Sequence, residues 1–171
     1  MPTHSDRTRL IASATRRGQG RRPVNPPLER ASTMLSDTAG VMRDEAAGPT
    51  YGLSGTSAAR ALRHALADLE GAAEAFLVPS GLAAVTVPLL ALLRPGDEVI
   101  TTDAVYGPTR RFLSRYLAAR GVTTRFLPAD ADAAAVIAAL TGRTRLVLME
   151  SPASLTFEMV DVAAVCLLYT S

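Results

Sequence analysis

Short β-rich segments alternate with helical segments along the second half of the chain, and this order constrains the fold more than any other feature. Residues 98–102, 123–127 and 145–149 carry the β-branched and large apolar side chains typical of strands. Between them, residues 108–120 and 130–140 show helical spacing of apolar positions. Strands joined through helices form parallel sheets with right-handed crossovers. We therefore expect an α/β fold: a mainly parallel sheet with helices on both faces.

The segments before residue 98 extend the same pattern. Residues 57–69 have helical spacing and end at Gly71, a natural helix stop. The apolar run 75–78 predicts a first strand, and residues 82–93 predict a buried helix. Ligand sites in such sheets lie at the carboxyl ends of the strands. We therefore expect the loops 79–81, 103–108 and 150–154 to converge on any site.

The remaining residues divide the chain into three parts. Residues 1–50 are rich in Pro, Arg, Ser and Thr and are interpreted as an amino-terminal arm. Residues 51–165 form the α/β part, and residues 166–171 are an atypical tail that we interpret as an artefactual or truncated end. Within the arm, a basic stretch predicts a solvated segment rather than a nucleic-acid site, and it comprises Arg16, Arg17, Arg21 and Arg22.

Two loops carry residues that could bind a ligand. Ser80, Gly81 and Leu82 form a small-residue turn at a helix amino terminus, where free N–H groups and the helix dipole favour a phosphate. An ordinary strand-to-helix turn has the same composition. Tyr106 lies in a neighbouring predicted loop and has a ring that could stack on a flat heteroaromatic ligand; taken alone, it is equally a packed or exposed tyrosine.

Several classes of site find no support in the sequence. His4 and His64 are isolated and Cys166 has no spaced partner, so we expect no metal centre. A single cysteine agrees with a reducing cytoplasm. The apolar stretch 76–93 is interrupted by Pro79, Gly81 and Pro88, so we expect no membrane span. All 18 basic residues are arginine, and lysine is absent.

Taken together and in order, several motifs resemble the pyridoxal-phosphate-dependent enzymes of cysteine and methionine metabolism. The resemblance runs from about Thr8 to Val165 and rests on Asn25-Pro26-Pro27, Tyr51-Gly52 with Gly55-Thr56, residues 66–71, Ser80-Gly81-Leu82, Pro95-Gly96-Asp97, Tyr106-Gly107-Pro108 and Glu150-Ser151-Pro152. It implies the aspartate-aminotransferase-like fold, fold type I, of a PLP-dependent transferase large domain in truncated form. The residues around Tyr51 and Glu150 resemble the cystathionine β-lyase branch.

The resemblance also implies roles for particular residues. The cofactor would be pyridoxal 5'-phosphate, with its phosphate held by the turn at Ser80, Gly81 and Leu82 and its ring stacked on Tyr106. Ser154 matches a position near the ring hydroxyl where many relatives have asparagine. Tyr51 would reach the cofactor of a neighbouring subunit, which implies a homodimer or homotetramer. Leu53 stands where the family has an arginine, which weakens this phosphate contact.

The activity implied for the full-length parent is carbon–sulfur lysis in the cytoplasm. Its substrate would be an amino-acid thioether, with β-elimination of cystathionine to homocysteine, pyruvate and ammonia and a side activity on cysteine. Nucleic acid and membrane are not expected partners. Because lysine is absent, the covalent link to the cofactor cannot form and we predict this chain to be inactive. The alternatives are a related γ-acting enzyme, a non-catalytic cofactor-binding fragment and an α/β nucleotide-binding module.

Overall fold

The computed structural model describes Ser5 and residues 28–170, with the side chains of residues 45 and 168–170 left out. These residues form two compact units, an amino-terminal unit that ends at Leu77 and a sheet unit that begins at Val78. Part of the predicted arm, including His4, lies outside the described residues. The same holds for the basic stretch and for the Asn25-Pro26-Pro27 motif.

The amino-terminal unit is built around one long helix. It contains α1 (Ala39–Arg43), two 3-10 turns (Glu45–Ala47 and Gly52–Ser54) and α2 (Ser57–Glu70). The predicted helix at α2 is confirmed: the hydroxyl of Thr56 accepts the N–H of Ala59 at its start, and Gly71 ends it with φ +65°. An antiparallel bridge joins Thr33 to Tyr51.

The sheet unit contains the alternating elements. They are α3 (Gly81–Leu92), β1 (Glu98–Thr102), α4 (Gly107–Arg111), β2 (Thr123–Leu127), α5 (Ala133–Ala139), β3 (Thr144–Leu148) and α6 (Val162–Thr170). The three strands are parallel and lie in the order β2-β1-β3. Helix α4 continues through a π-helical turn (Phe112–Leu117) and a 3-10 turn (Ala118–Arg120). Pro108 at its start suits a helix amino terminus.

Both faces of this sheet are covered by helices, as predicted. On one face, Leu89 of α3 and Leu113 and Leu117 of the α4 segment pack with Val99. On the other, Val136 of α5 and Val165 of α6 pack with Val147. Every residue of β1 is buried, as expected for a central strand with helices on both sides. Because β1 and β3 are parallel, their carboxyl ends lie at the same edge of the sheet.

The predicted first strand at residues 75–78 is wrong. Those residues lie outside any strand, and 82% of Phe76 and 44% of Leu77 remain exposed. An apolar run becomes a strand only when a neighbouring strand pairs with its backbone groups. No described strand pairs with residues 75–78. The helix that follows forms nonetheless, because its hydrogen bonds are internal.

Two further boundaries differ from expectation. Helix α5 begins at Ala133 rather than at Asp130, because Asp132 is the residue that caps it: Oδ1 of Asp132 accepts the N–H of Ala135 at 2.8 Å. Residues 128–131 form a turn closed by Ala131 N–H and Pro128 O. At the other end, α6 runs through Cys166 to Thr170. No described helix has both the length and the apolar character needed to span a bilayer.

Candidate functional site

A cavity of about 550 Å³ opens in the sheet unit at the carboxyl end of the strands. The register pairs Thr101 of β1 with Leu148 of β3, so the segments that leave these strands meet at the same edge. The residues of this cavity that bear on function are Ser80, Gly81, Leu82, Tyr106, Thr109 and Glu150. The expected convergence of the three loops is therefore confirmed for residues from each of them.

The first wall of the cavity is the amino terminus of α3. Ser80 caps this helix in an extended conformation, and its hydroxyl accepts the N–H of Ala83 at 3.1 Å. The Ala84 N–H donates to Ser80 O at 3.0 Å. The N–H groups of Gly81 and Leu82 precede the first carbonyl that the helix can offer them, so they remain available. The positive end of the helix dipole adds to this preference for an anion.

Gly81 keeps this helix terminus open. A Cβ atom built on Gly81 would meet no atom within 4 Å, and its φ does not lie in the left-handed region. Neither a steric clash nor backbone conformation therefore requires glycine here. Because Gly81 lines the cavity, its missing side chain instead leaves room for a ligand to approach the backbone N–H groups.

Tyr106 forms the second wall. It is the residue before α4, and 49% of it is exposed. Its backbone N–H donates to Oε2 of Glu150 at 2.9 Å, a contact between residues 44 positions apart. The preceding Val105 is 5% exposed and anchors the loop. Tyr106 therefore borders the cavity on a backbone that is held from the loop after β3.

Glu150 is a cavity residue to which the sequence analysis assigns no role. The sequence predicts the loop 150–154 near the site without distinguishing this carboxylate from its neighbours. Its position directly after β3, opposite the loop that follows β1, was the available signal. A contact with a particular backbone N–H depends on strand register, which the chain's periodicity does not specify.

Ser154 lies next to this arrangement. Its N–H donates to Ala104 O at 3.1 Å, which ties the loop after β3 to the loop that carries Tyr106. Ser154 does not line the cavity in the described part of the chain. Its predicted place near a cofactor ring hydroxyl stays a prediction.

Tyr51 belongs to the amino-terminal unit, where its position is set by backbone contacts. It pairs with Thr33, and the N–H of the following Gly52 donates to Ser32 O at 2.6 Å. A Cβ atom on Gly52 would overlap the carbonyl oxygen of Ala31, so only glycine allows this close approach. Tyr51 is 47% exposed and Leu53 is 90% exposed. Both side chains are thus accessible for contacts outside this unit.

The donor set of the cavity suits a monophosphate attached to a flat ring. Backbone N–H groups and a helix dipole attract an anion, and an aromatic ring can stack on a flat group. The set contains no amine, since the chain has no lysine. Among residues 28–170 and Ser5, no three His, Cys, Asp or Glu side chains gather to hold a metal ion.

Known proteins are similar to this chain in sequence and in fold. The family model described as Cys/Met metabolism PLP-dependent enzyme matches residues 7–170. The cystathionine beta-lyase of Bordetella avium is 37% identical over 152 residues, which cover 85% of this chain and 38% of the relative. The cystathionine gamma-synthase of Mycobacterium tuberculosis is 35% identical over 164 residues, which cover 95% of this chain and 41% of the relative.

The crystal structure of MetB from Corynebacterium glutamicum matches the fold with a TM-score of 0.86 at 26% identity. The match covers 98% of this chain and 43% of that one. The predicted fold, a parallel α/β sheet that forms part of a fold type I domain, is confirmed by this likeness. The chain spans less than half the length of the relatives it matches.

Proposed function

The chain belongs to the family of Cys/Met metabolism PLP-dependent enzymes, and from that premise we propose that the whole protein cleaves a carbon–sulfur bond with pyridoxal 5'-phosphate as cofactor. The proposed reaction is β-elimination of cystathionine to homocysteine, pyruvate and ammonia, with cysteine as a secondary substrate. The observation that carries the proposal is one cavity lined by both the amino terminus of α3 and Tyr106.

The phosphate would be held by the backbone. Gly81 and Leu82 would donate their N–H groups to its oxygens, and Ser80 holds the first turn of α3 in place through its bond to Ala83. Charge-assisted hydrogen bonds of this kind are shorter and stronger than neutral ones. The turn therefore supplies the affinity for the charged end of the cofactor.

The ring would lie against Tyr106, whose half-exposed side chain borders the same cavity. Ser154 would approach the ring hydroxyl with its own hydroxyl, which keeps one hydrogen-bonding group where many relatives have an asparagine. When bound, the cofactor withdraws electrons from the amino acid, which lets the α-proton and then the β-thiolate leave. The described residues orient the ring for that chemistry.

A neighbouring subunit would complete the phosphate site. Tyr51 would donate its hydroxyl to the phosphate of the partner's cofactor, so the smallest active assembly would be a homodimer. Leu53 replaces the arginine that assists this tyrosine in the family, so one fixed positive charge is missing. We therefore expect weaker cofactor binding than in relatives that have the arginine.

The 171-residue chain would bind the cofactor but would not catalyse the cleavage. It contains no lysine to bond to the cofactor or to move the α-proton. A non-catalytic cofactor-binding fragment is therefore the second candidate function, and the absent lysine together with Leu53 favours it for this polypeptide. The nucleotide-binding alternative receives no support from the family membership.

The preference for β-elimination over γ-chemistry rests on two motifs. Residues 51–56 end in Gly55-Thr56, and residues 150–161 combine Glu150-Ser151-Pro152 with Asp161, both as in the cystathionine β-lyase branch. Relatives at similar identity include a cystathionine gamma-synthase, so a γ-acting enzyme is the alternative reaction.

The products of cystathionine cleavage test the reaction. The protein encoded by the complete reading frame should release pyruvate and homocysteine from cystathionine, whereas γ-cleavage would release 2-oxobutyrate and cysteine. Keto-acid analysis by mass spectrometry separates the two outcomes. Release of 2-oxobutyrate alone would replace the proposed β-elimination with the γ-reaction.

Ligand binding tests the site in the chain itself. Pyridoxamine 5'-phosphate is the suitable probe, because it cannot bond covalently to a protein amine, and the chain has no tryptophan to mask its fluorescence. Fluorescence anisotropy should show saturable binding that weakens in Tyr106→Ala. The absence of saturable binding would refute the proposed cofactor site in this chain.

A further inference from the structure

The contact between Glu150 and Tyr106 joins two walls of the cavity. Oε2 of Glu150 accepts the Tyr106 N–H at 2.9 Å, and both residues line the cavity. Tyr106 has no side-chain capping bond, and its N–H comes at the start of a helix, where no helical carbonyl can accept it. The Glu150 carboxylate therefore supplies the acceptor that the helix lacks for the Tyr106 N–H group.

The other hydrogen bonds of the loop 103–108 fix the residues on either side of the Tyr106 N–H group. Asp103 N–H donates to Leu127 O at 2.8 Å, and Val105 N–H donates to Thr102 O at 3.3 Å. Ser154 N–H donates to Ala104 O at 3.1 Å. These bonds fix the loop up to Val105, and the Arg110 N–H that donates to Tyr106 O belongs to α4 itself. Among the described residues, Glu150 is the one that holds the Tyr106 N–H from across the cavity.

We propose that Glu150 is a positioning residue that holds the ring of Tyr106 in the position required to stack on a flat phosphate-bearing ligand. The inference rests on the proposed cofactor site, since it assigns a role to Tyr106 within it. Glu150 acts through its Oε2 atom and the backbone of Tyr106, so it affects contacts of the ring. The N–H groups of Gly81 and Leu82 belong to a different wall and keep their affinity for phosphate without it.

Three substitutions of Glu150 test separately its acceptor oxygen, its negative charge and the length of its side chain. Glu150→Gln keeps an acceptor oxygen without the charge, Glu150→Asp keeps the charge but is one methylene too short, and Glu150→Ala removes both. We expect Glu150→Ala and Glu150→Asp to raise the amide exchange rate of Tyr106, measured by NMR without ligand, by roughly tenfold or more, as for loss of a charge-assisted hydrogen bond. Glu150→Gln should stay within about threefold of the wild-type rate because neutral hydrogen bonds retain much of this protection.

Two ligands distinguish a shift of the Tyr106 ring from loss of the whole site. Pyridoxamine 5'-phosphate binding, followed by fluorescence anisotropy, should weaken roughly tenfold in Glu150→Ala and Glu150→Asp, because the stacking contact depends on ring position. Inorganic phosphate binding, followed by ³¹P NMR, should be unchanged in both variants. Asp130→Ala is the matched control, since it removes an exposed carboxylate of the same unit that does not line the cavity.

The outcomes separate this inference from the proposed function. Wild-type exchange at Tyr106 in Glu150→Ala would overturn the inference even if the cofactor probe binds. Equal weakening of both ligands would overturn it as well, because it would mean that the whole site is lost. A wild-type chain that binds no pyridoxamine 5'-phosphate would overturn the proposed site and the role of Glu150 with it, while the exchange data would still show whether the contact forms.

Discussion

The hydroxyl of Thr144 donates a hydrogen bond of 3.0 Å to Oε1 of Glu98, which links the first residue of β3 to the first residue of β1. The Thr141 hydroxyl donates to the same oxygen at 3.0 Å, and Nη2 of Arg125 lies 3.2 Å from Oε2. Glu98 is 1% exposed. This buried carboxylate ties the amino ends of β1 and β3 together and links β1 to Arg125 in the middle of β2.

Substitution of Glu98 should destabilise the sheet unit. Glu98→Ala removes the acceptor for Thr141, Thr144 and Arg125, and we expect the free energy of unfolding to fall by about 2–3 kcal/mol. Glu98→Gln keeps the shape and should cost about 1–2 kcal/mol. Urea denaturation followed by circular dichroism measures both. Glu74→Gln, which affects an exposed ion pair with Arg63, is the control, and an equal loss there would contradict the role of Glu98.

Stability should depend on pH through the same carboxylate. Burial alone would raise the pKa of Glu98, but the hydrogen bonds from Thr144, Thr141 and Arg125 outweigh it and hold the pKa below its usual range. A lowered folded-state pKa adds stability that is fully present above the unfolded value of about 4.3 and is lost as the pH falls through the folded value.

Urea midpoints measured between neutral and acidic pH should therefore fall more steeply for the wild type than for Glu98→Gln below about pH 4.3. Glu29 and Glu74 also have lowered pKa values, through hydrogen bonds from Ser57 and Ala75 respectively, and they contribute equally to both proteins. The difference between the two curves thus isolates Glu98. Parallel curves would show that its pKa is not lowered by folding.

Gly81→Ala should separate stability from ligand binding. The added methyl group meets no protein atom within 4 Å, so the free energy of unfolding should stay the same or rise by up to about 1 kcal/mol, as helix propensity favours alanine. Pyridoxamine 5'-phosphate affinity should fall roughly tenfold, because the methyl group hinders hydrogen bonds to the N–H groups of Gly81 and Leu82. Gly142→Ala, also free of contacts but located before β3, should bind as the wild type does.

Gly52→Ala should damage the amino-terminal unit selectively. Its Cβ would overlap Ala31 O, so the bond from Gly52 N–H to Ser32 O must break or the backbone must shift. We expect faster amide exchange at Gly52 and Met34, which donates to Thr50 O in the same bridge. Gly40→Ala is the control, because its Cβ would meet Thr38 only at an ordinary 3.6 Å. Unchanged exchange in Gly52→Ala would contradict the close approach.

Local signals predicted the elements whose hydrogen bonds are internal. Helix α2 forms between Thr56 and Gly71 because both its cap and its stop are encoded beside it. Residues 98–102, which are rich in β-branched side chains, formed a strand as expected, since parallel neighbours cover both of its edges. The run 75–78 is wholly apolar but pairs with no described strand, so apolar composition alone misled there.

Some features of the candidate site could likewise be predicted from the sequence and others could not. The turn at Ser80 and Gly81 could be predicted from its position before a helix, and so could the presence of Tyr106 in a loop at the sheet edge. The acceptor of the Tyr106 N–H could not, because Glu150 reaches it only through the pairing of β1 with β3.

The amino-acid sequence by itself determined the order of helices and strands from α3 onward, the family and the lack of a lysine, because composition and local hydrogen bonding depend on each residue and its near neighbours. Tertiary structure alone decided that Glu150 meets Tyr106 and that Glu98 gathers Thr141, Thr144 and Arg125. These contacts join residues 27 to 46 positions apart, and only the register of the parallel strands brings them within hydrogen-bonding distance.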